Sequence, residues 1–161
     1  MGVRLVNNWC PSGEHVAGSA ASGRISAMAN VLFVCVENAG RSQLSEALFT
    51  RAAAGRHSAR SAGSAPADRL NEKVVAVLAE LGLDIAGRTP RALDAADAEW
   101  ADLVVTMGCG DACPYVPGTR YVDWDLPDPK NMSLDEVRAL RDDIAQRVEA
   151  LVEECEPASI T

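Results

Sequence analysis

The hydrophobic pattern of the chain changes character near residue 30. Before it the sequence is rich in Gly, Ala, Ser and Asn with no sustained periodicity; after it, short apolar runs alternate with segments of helical spacing. Val31-Leu32-Phe33-Val34-Cys35 is an unbroken apolar run rich in β-branched residues and predicts a strand. Residues 43–54 carry Leu44, Ala47, Leu48 and Arg51 at helical spacing and stop at Gly55. A second short strand follows over 57–63. Leu70, Val74, Val77, Leu78 and Leu81 predict an amphipathic helix with Asp68 as its N-cap and Gly82 as its stop. A short helix over 94–99 leads into a third strand over 101–107, and 119–124 reads as a fourth. Ser133-Leu134-Asp135-Glu136 is a capping box. Leu134, Val137, Leu140, Ile144, Val148, Leu151 and Val152 then form one face of a long final helix, with Cys155 in its last turn and Pro157 at its end.

Strands separated by helices imply βαβ units with right-handed crossovers. The expected fold is therefore α/β: a four-stranded parallel sheet with helices on both faces. The loops at the carboxyl ends of its strands should gather along one edge. Residues 1–28 read as a flexible N-terminal extension, and 29–161 as one domain. The extension has no apolar core with basic flanks of the kind that makes a signal peptide, and Met28 offers an alternative start of translation just before the first strand.

Composition narrows the function classes. A chain of 161 residues with 48% hydrophobic and 24% charged residues is long enough for one well-filled core. Its net charge of −8 argues against nucleic-acid binding, and no apolar run is long enough for a membrane span. An anionic substrate must then be captured by a local electropositive site. Five cysteines, an odd number in no regular framework, fit a reducing cytoplasm.

Such a site is readable at the end of the first strand. Cys35, Val36, Glu37, Asn38, Ala39 and Gly40 separate that strand from a helix opened by Arg41 and Ser42. Amides converging at a helix start lack intrahelical partners and favour an oxyanion, and the same amides stabilise a thiolate. Arg41 adds a planar, permanently charged fork for two oxygens, and Ser42 can donate a hydrogen bond to the sulfur. The loop thus supplies a nucleophile, Cys35, and substrate-binding groups from Val36, Glu37, Asn38, Ala39, Gly40, Arg41 and Ser42. Because the amides point inward, the Glu37 side chain is expected to face solvent or pair with a cation. His57, at a strand start, reads as structural.

Cys35-Val36-Glu37-Asn38-Ala39-Gly40-Arg41-Ser42-Gln43 resembles the phosphate-binding loop of the low-molecular-weight tyrosine phosphatase superfamily. Its Asn-x-x-Arg-Ser-Gln ending is similar to the arsenate reductase branch, where the phosphatases carry Arg-Ser-Pro. Ser61-Ala62-Gly63 and Asp128-Pro129 match two further motifs of that superfamily. The resemblance implies a low-molecular-weight phosphatase-like fold and assigns Asp128 as the acid that protonates the leaving group, with Asp123 and Asp125 as nearby alternatives. After Asp128-Pro129 the chain continues Lys130-Asn131-Met132, where the phosphatases carry two aromatic residues. With only 4% aromatic residues in the chain, a small inorganic anion is the better substrate.

The resemblance therefore implies an arsenate reductase, forming arsenite through a Cys35–arsenate adduct that a second thiol resolves. A phosphomonoesterase and a non-catalytic oxyanion sensor are the alternatives. Cys109 and Cys113 fall just after the third strand and are the possible redox residues; zinc would need two more ligands, so no metal is expected. Their separation of four residues is narrower than in thioredoxin-coupled reductases. The stretches Met107 to Pro114 and Asp123 to Pro129 resemble reductases from organisms that use mycothiol. No bound cofactor is expected, and the implied partner is an external thiol reductant, either mycothiol with mycoredoxin or thioredoxin.

Overall fold

The computed structural model describes residues 28–108 and 119–155. The N-terminal extension up to residue 27, Cys109 and Cys113, and Pro157 lie outside the described residues. Strand β1 (Asn30–Cys35) is buried on both faces, which is why its apolar run does not alternate. Val31, Phe33 and Cys35 face a large core built with Leu44, Leu48 and Phe49 of α1 (Arg41–Ala53), Val74, Val77 and Leu78 of α2 (Glu72–Ala79), and the apolar stripe of α4 (Leu134–Cys155). Leu32 and Val34 face a smaller cluster with Val104, Ala101, Trp100 and Tyr121, on the side of α3 (Ala95–Trp100).

β2 (Ser58–Gly63) and β3 (Leu103–Thr106) flank β1, and β4 (Arg120–Asp123) lies outside β3. The order is β2-β1-β3-β4 and every pairing is parallel, so the four-stranded parallel sheet expected from the sequence is the one observed. The chain leaves β1 for a neighbour on one side and later reaches β3 on the other. The loops after β1 and β3 therefore diverge and leave a crevice at the carboxyl edge, the usual ligand position in such sheets.

Two boundaries differ from expectation for physical reasons. α2 begins at Glu72 and is capped by Asn71, whose side chain accepts from the amides of Lys73 and Val74. Asp68 is not the cap, because residues 64–71 are held instead against the loop that follows β1. α1 ends on Ala54 with a left-handed φ of 50°, one residue before the glycine expected to stop it. The capping box at Ser133 and Glu136 forms with both reciprocal hydrogen bonds. Where α2 ends, Glu80 accepts from Arg138 and Arg141 of α4; those hydrogen bonds hold its carboxyl below the usual range and fix the two helices together. Among the described residues no helix is long and apolar enough to cross a membrane.

The segment before α3 is pinned by charge. Asp97, buried in α3, accepts two hydrogen bonds from Arg91 at 2.7 and 2.8 Å, and Arg60 lies 3.5 Å away. Burial raises its pKa, but the hydrogen bonds from Arg91 and the Asp94 amide and the charges of Arg91 and Arg60 outweigh it, so the net shift is downward. A carboxyl lowered on folding stabilises the fold above its unfolded value, and that contribution fades as pH falls through the folded value. Asp97→Asn is therefore expected to cost about 1.5–3 kcal/mol at pH 7. The difference from the parent should shrink when denaturant titrations are repeated below about pH 4; a gap constant down to pH 2 would refute this account.

Candidate active site

The loop between β1 and α1 has one organising property: each of its carbonyls is bonded away from its centre. The carbonyl of Cys35 accepts from the amide of Ser64, that of Val36 from Ala65, that of Glu37 from Ala67 and that of Ala39 from Asn71. The Asn38 carbonyl accepts from Nε2 of Gln43 at 3.1 Å, and that of Gly40 from the Leu44 amide inside α1. In a trans peptide the carbonyl and the next amide point in opposite directions. Six outward carbonyls thus turn the amides of Val36 to Arg41 inward. α1 adds its own first-turn donors, since Gly40 provides no side-chain cap and its first turn holds no acidic residue.

Cys35 lies at the bottom of this cradle, 2% exposed. Its Sγ accepts from the Asn38 amide at 3.3 Å and stands 2.9 Å from Ser42 Oγ. Asn38 Nδ2 donates to that same Ser42 Oγ at 2.8 Å, which leaves the Ser42 hydrogen available for the sulfur. Asn38 sits at φ 54°, a left-handed conformation that asparagine tolerates better than most residues. Its Nδ2 also donates to Ser61 Oγ, and its Oδ1 accepts from Gln43 Nε2 and the Arg91 amide, so every polar atom of the side chain is used. Ser61 in turn donates to Glu46, which pairs with Arg88.

Arg41, the first residue of α1, is 8% exposed. Its Nη1 donates to the Leu126 carbonyl at 3.1 Å, and its Nη2 lies 3.8 Å from Oδ2 of Asp128. The guanidinium passes so close to Gly108, at φ 90° after β3, that a Cβ there would stand 2.8 Å from Nη1. Asp128 caps a short 3-10 turn (Pro129–Asn131) by accepting from the Lys130 amide, and its carboxylate is half exposed. Glu37 pairs with Lys130, Oε2 to Nζ 3.5 Å. Cys35, Glu37, Arg41, Arg69, Asp128 and Lys130 are among the residues lining a cavity of about 130 Å³.

The structure thus brings Cys35, Glu37, Ala39, Gly40, Arg41 and Asp128 to one cavity, and leaves Val36, Asn38, Ser42, Asp123 and Asp125 out of its lining. Asp123 instead accepts from Thr106 Oγ1 on the neighbouring strand. His57 is buried and its Nδ1 accepts from the Ala29 amide, a structural position. Cys155, left without a role by the sequence, is buried in the main core. Sequence reasoning missed the outer support: the amides of Ser64, Ala65, Ala67 and Asn71, the Gln43 side chain, the Leu126 carbonyl and Gly108. Backbone donors leave no residue-type signal. Among the described residues no group of three His, Cys, Asp or Glu side chains is placed to hold a metal ion.

A half-wound parallel sheet with a cysteine cradled by inward amides and an arginine at a helix start defines an oxyanion-binding cysteine site of the phosphatase type. The profile of the low molecular weight phosphotyrosine protein phosphatases matches residues 30–159, and the chain belongs to that family. It is 42% identical over 130 residues to a putative arsenate reductase of Halobacterium salinarum, covering 78% of this chain and 92% of that one. It is 34% identical to the glutaredoxin arsenate reductase of Synechocystis, over 78% and 97% of the two chains. Among solved structures, the thioredoxin-dependent arsenate reductase of Corynebacterium glutamicum superposes with a TM-score of 0.70 at 35% identity, covering 88% of this chain and 70% of that one.

The support behind the loop is tight where β2 ends. A Cβ on Gly63 would stand 2.6 Å from the Val36 carbonyl oxygen and 2.9 Å from the Asn38 nitrogen. Gly63→Ala is expected to displace the loop and weaken inorganic phosphate binding by roughly tenfold or more, about 1.4 kcal/mol, in calorimetric titration. Unchanged affinity would show that the loop does not depend on this backing.

Proposed function

We propose that this chain is an arsenate reductase in which Cys35 is the nucleophile, Arg41 and the inward amides hold the oxyanion, and Asp128 is the acid. The observation that carries the reading is the cavity itself. It is about 130 Å³, its charged lining is Arg41, Arg69, Lys130, Glu37 and Asp128 around Cys35, and among the described residues none that lines it is aromatic. That suits a small tetrahedral anion. The names of the relatives point the same way.

In this mechanism arsenate occupies the cradle with oxygens toward the amides of Val36 to Arg41 and toward the Arg41 fork. The Cys35 thiolate, stabilised by the Asn38 amide and the Ser42 hydroxyl, attacks arsenic(V). An S–As bond forms, and the departing oxygen takes a proton from Asp128 and leaves as water. A second thiolate then attacks the Cys35 sulfur. The electron pair of the S–As bond stays on arsenic, which is released as arsenite, and the two sulfurs are left as a disulfide. An external thiol system reduces that disulfide, a reaction suited to a cytoplasm that keeps thiols reduced.

The close spacing of Cys109 and Cys113 favours a small-molecule thiol as the second nucleophile. Purified protein is expected to produce arsenite from arsenate with mycothiol and mycoredoxin, and Cys35→Ser to produce none. Asp128→Asn should lower kcat by about 10²–10⁴. Turnover with thioredoxin and its reductase alone, abolished by Cys113→Ser, would replace the small thiol by an internal relay. Steady hydrolysis of an aryl phosphate without arsenite formation would replace the reductase by a phosphatase.

A further inference from the structure

The mouth of the oxyanion cavity carries a pair of charges that the chemistry above does not use. Glu37 lies on the loop two residues after Cys35, and Lys130 lies on the turn two residues after Asp128. Both line the cavity, one from the loop and one from the turn, and their side chains meet at 3.5 Å. We propose that this ion pair is a strap across the cavity mouth that selects free inorganic oxyanions over anions carrying an organic substituent. The inference rests on the cavity being an oxyanion site.

The direction of the reaction fixes what the strap meets. A tetrahedral anion seated on the inward amides and on Arg41 directs its remaining substituent away from Cys35, toward Asp128, because the leaving group must depart opposite the attacking sulfur and beside its acid. For a free oxyanion that substituent is a single oxygen, which fits beneath the pair. For an ester or an organophosphonate it is a carbon chain or ring that has to leave between the loop and the turn, where Glu37 and Lys130 join. Such a ligand binds only after the pair separates.

The pair also accounts for a carboxylate at the edge of an anion site. Alone, Glu37 would repel every dianion that entered. Joined to Lys130 it presents little net charge, so the strap closes the mouth without opposing the oxyanion inside. The chain has a net charge of −8, which makes an uncompensated carboxylate at this position costlier still.

Both side chains are partly exposed, Lys130 at 65% and Glu37 at 38%, so the pair is screened and its effect is modest. The discrimination expected from an exposed pair is about two- to fivefold. The test compares dissociation constants of inorganic phosphate and phenylphosphonate, which has no hydrolysable ester bond, for the full chain under reducing conditions. The ratio of the two cancels effects that all anions share.

The parent should prefer phosphate. Lys130→Glu and Glu37→Lys, which set like charges against each other, should each reduce that preference by about two- to fivefold. The double variant, with the charges exchanged, should restore it. Glu37→Gln serves as the conservative variant and should reduce the preference as well. A ratio unchanged across parent, single and double variants overturns the strap while leaving the reductase reading intact. Loss of the preference in both single variants without recovery in the double shows a structural effect of substitution and equally overturns it. Failure of the parent to bind phosphate at all removes the oxyanion site, and both readings with it.

Discussion

The direction of six consecutive carbonyls is the constraint on which the rest of this protein depends. A peptide loop left to itself presents acceptors and donors at random, and an anion site needs donors alone. Here the carbonyls of Cys35 to Gly40 are drawn outward by four backbone amides between Ser64 and Asn71, by the Gln43 side chain and by α1 itself. The chain after β2 is committed to that task, which is why it is not helical until Glu72. The sheet order places it there: β2 pairs with β1 in a register that sets Gly63 beside Cys35, so the segment leaving β2 must run along the loop leaving β1.

The second wall comes from the other side of the crevice. β3 pairs with β1 such that Thr106 lies beside Val34, and the chain turns at Gly108 against the Arg41 guanidinium. The Leu126 carbonyl and the Asp128 carboxylate complete the surroundings of that side chain. Gly40 lies against the Pro129 ring, closely enough that a Cβ would meet Cγ at 2.7 Å, which joins the Cys35 loop to the Asp128 turn. The opposing halves of the site are thus fixed to each other through packing as well as charge.

Much of this was legible in the residues. The apolar run of β1, the parallel sheet, the capping box of α4 and the concentration of chemistry at Cys35 and Arg41 all follow from local patterns that a single sequence carries. Asp128 was legible only through its resemblance to a known dipeptide, since an aspartate before proline is also an ordinary turn. The Asp68 cap was misplaced because helical periodicity marks where a face is buried, and Leu70 is buried without being helical. The outward support of the loop was invisible for a deeper reason: it is made by backbone amides, which every residue but proline possesses. Asn38, Gln43 and Ser61 were legible only as members of motifs, and their shared polar network under the cysteine appears because long-range pairing brings β2 beneath the loop.

The uncapped start of α1 has a thermodynamic corollary. In each of the other helices whose N-cap is described, a side chain satisfies first-turn amides. At α1 those donors and the Arg41 fork are left for solvent or for an anion. Any anion that occupies them binds the folded chain and has nothing comparable to bind in the unfolded one, so by mass action it raises stability in proportion to the logarithm of its concentration over its dissociation constant. The ambient oxyanion pool is then a folding ligand of this protein as well as a competitor for its site.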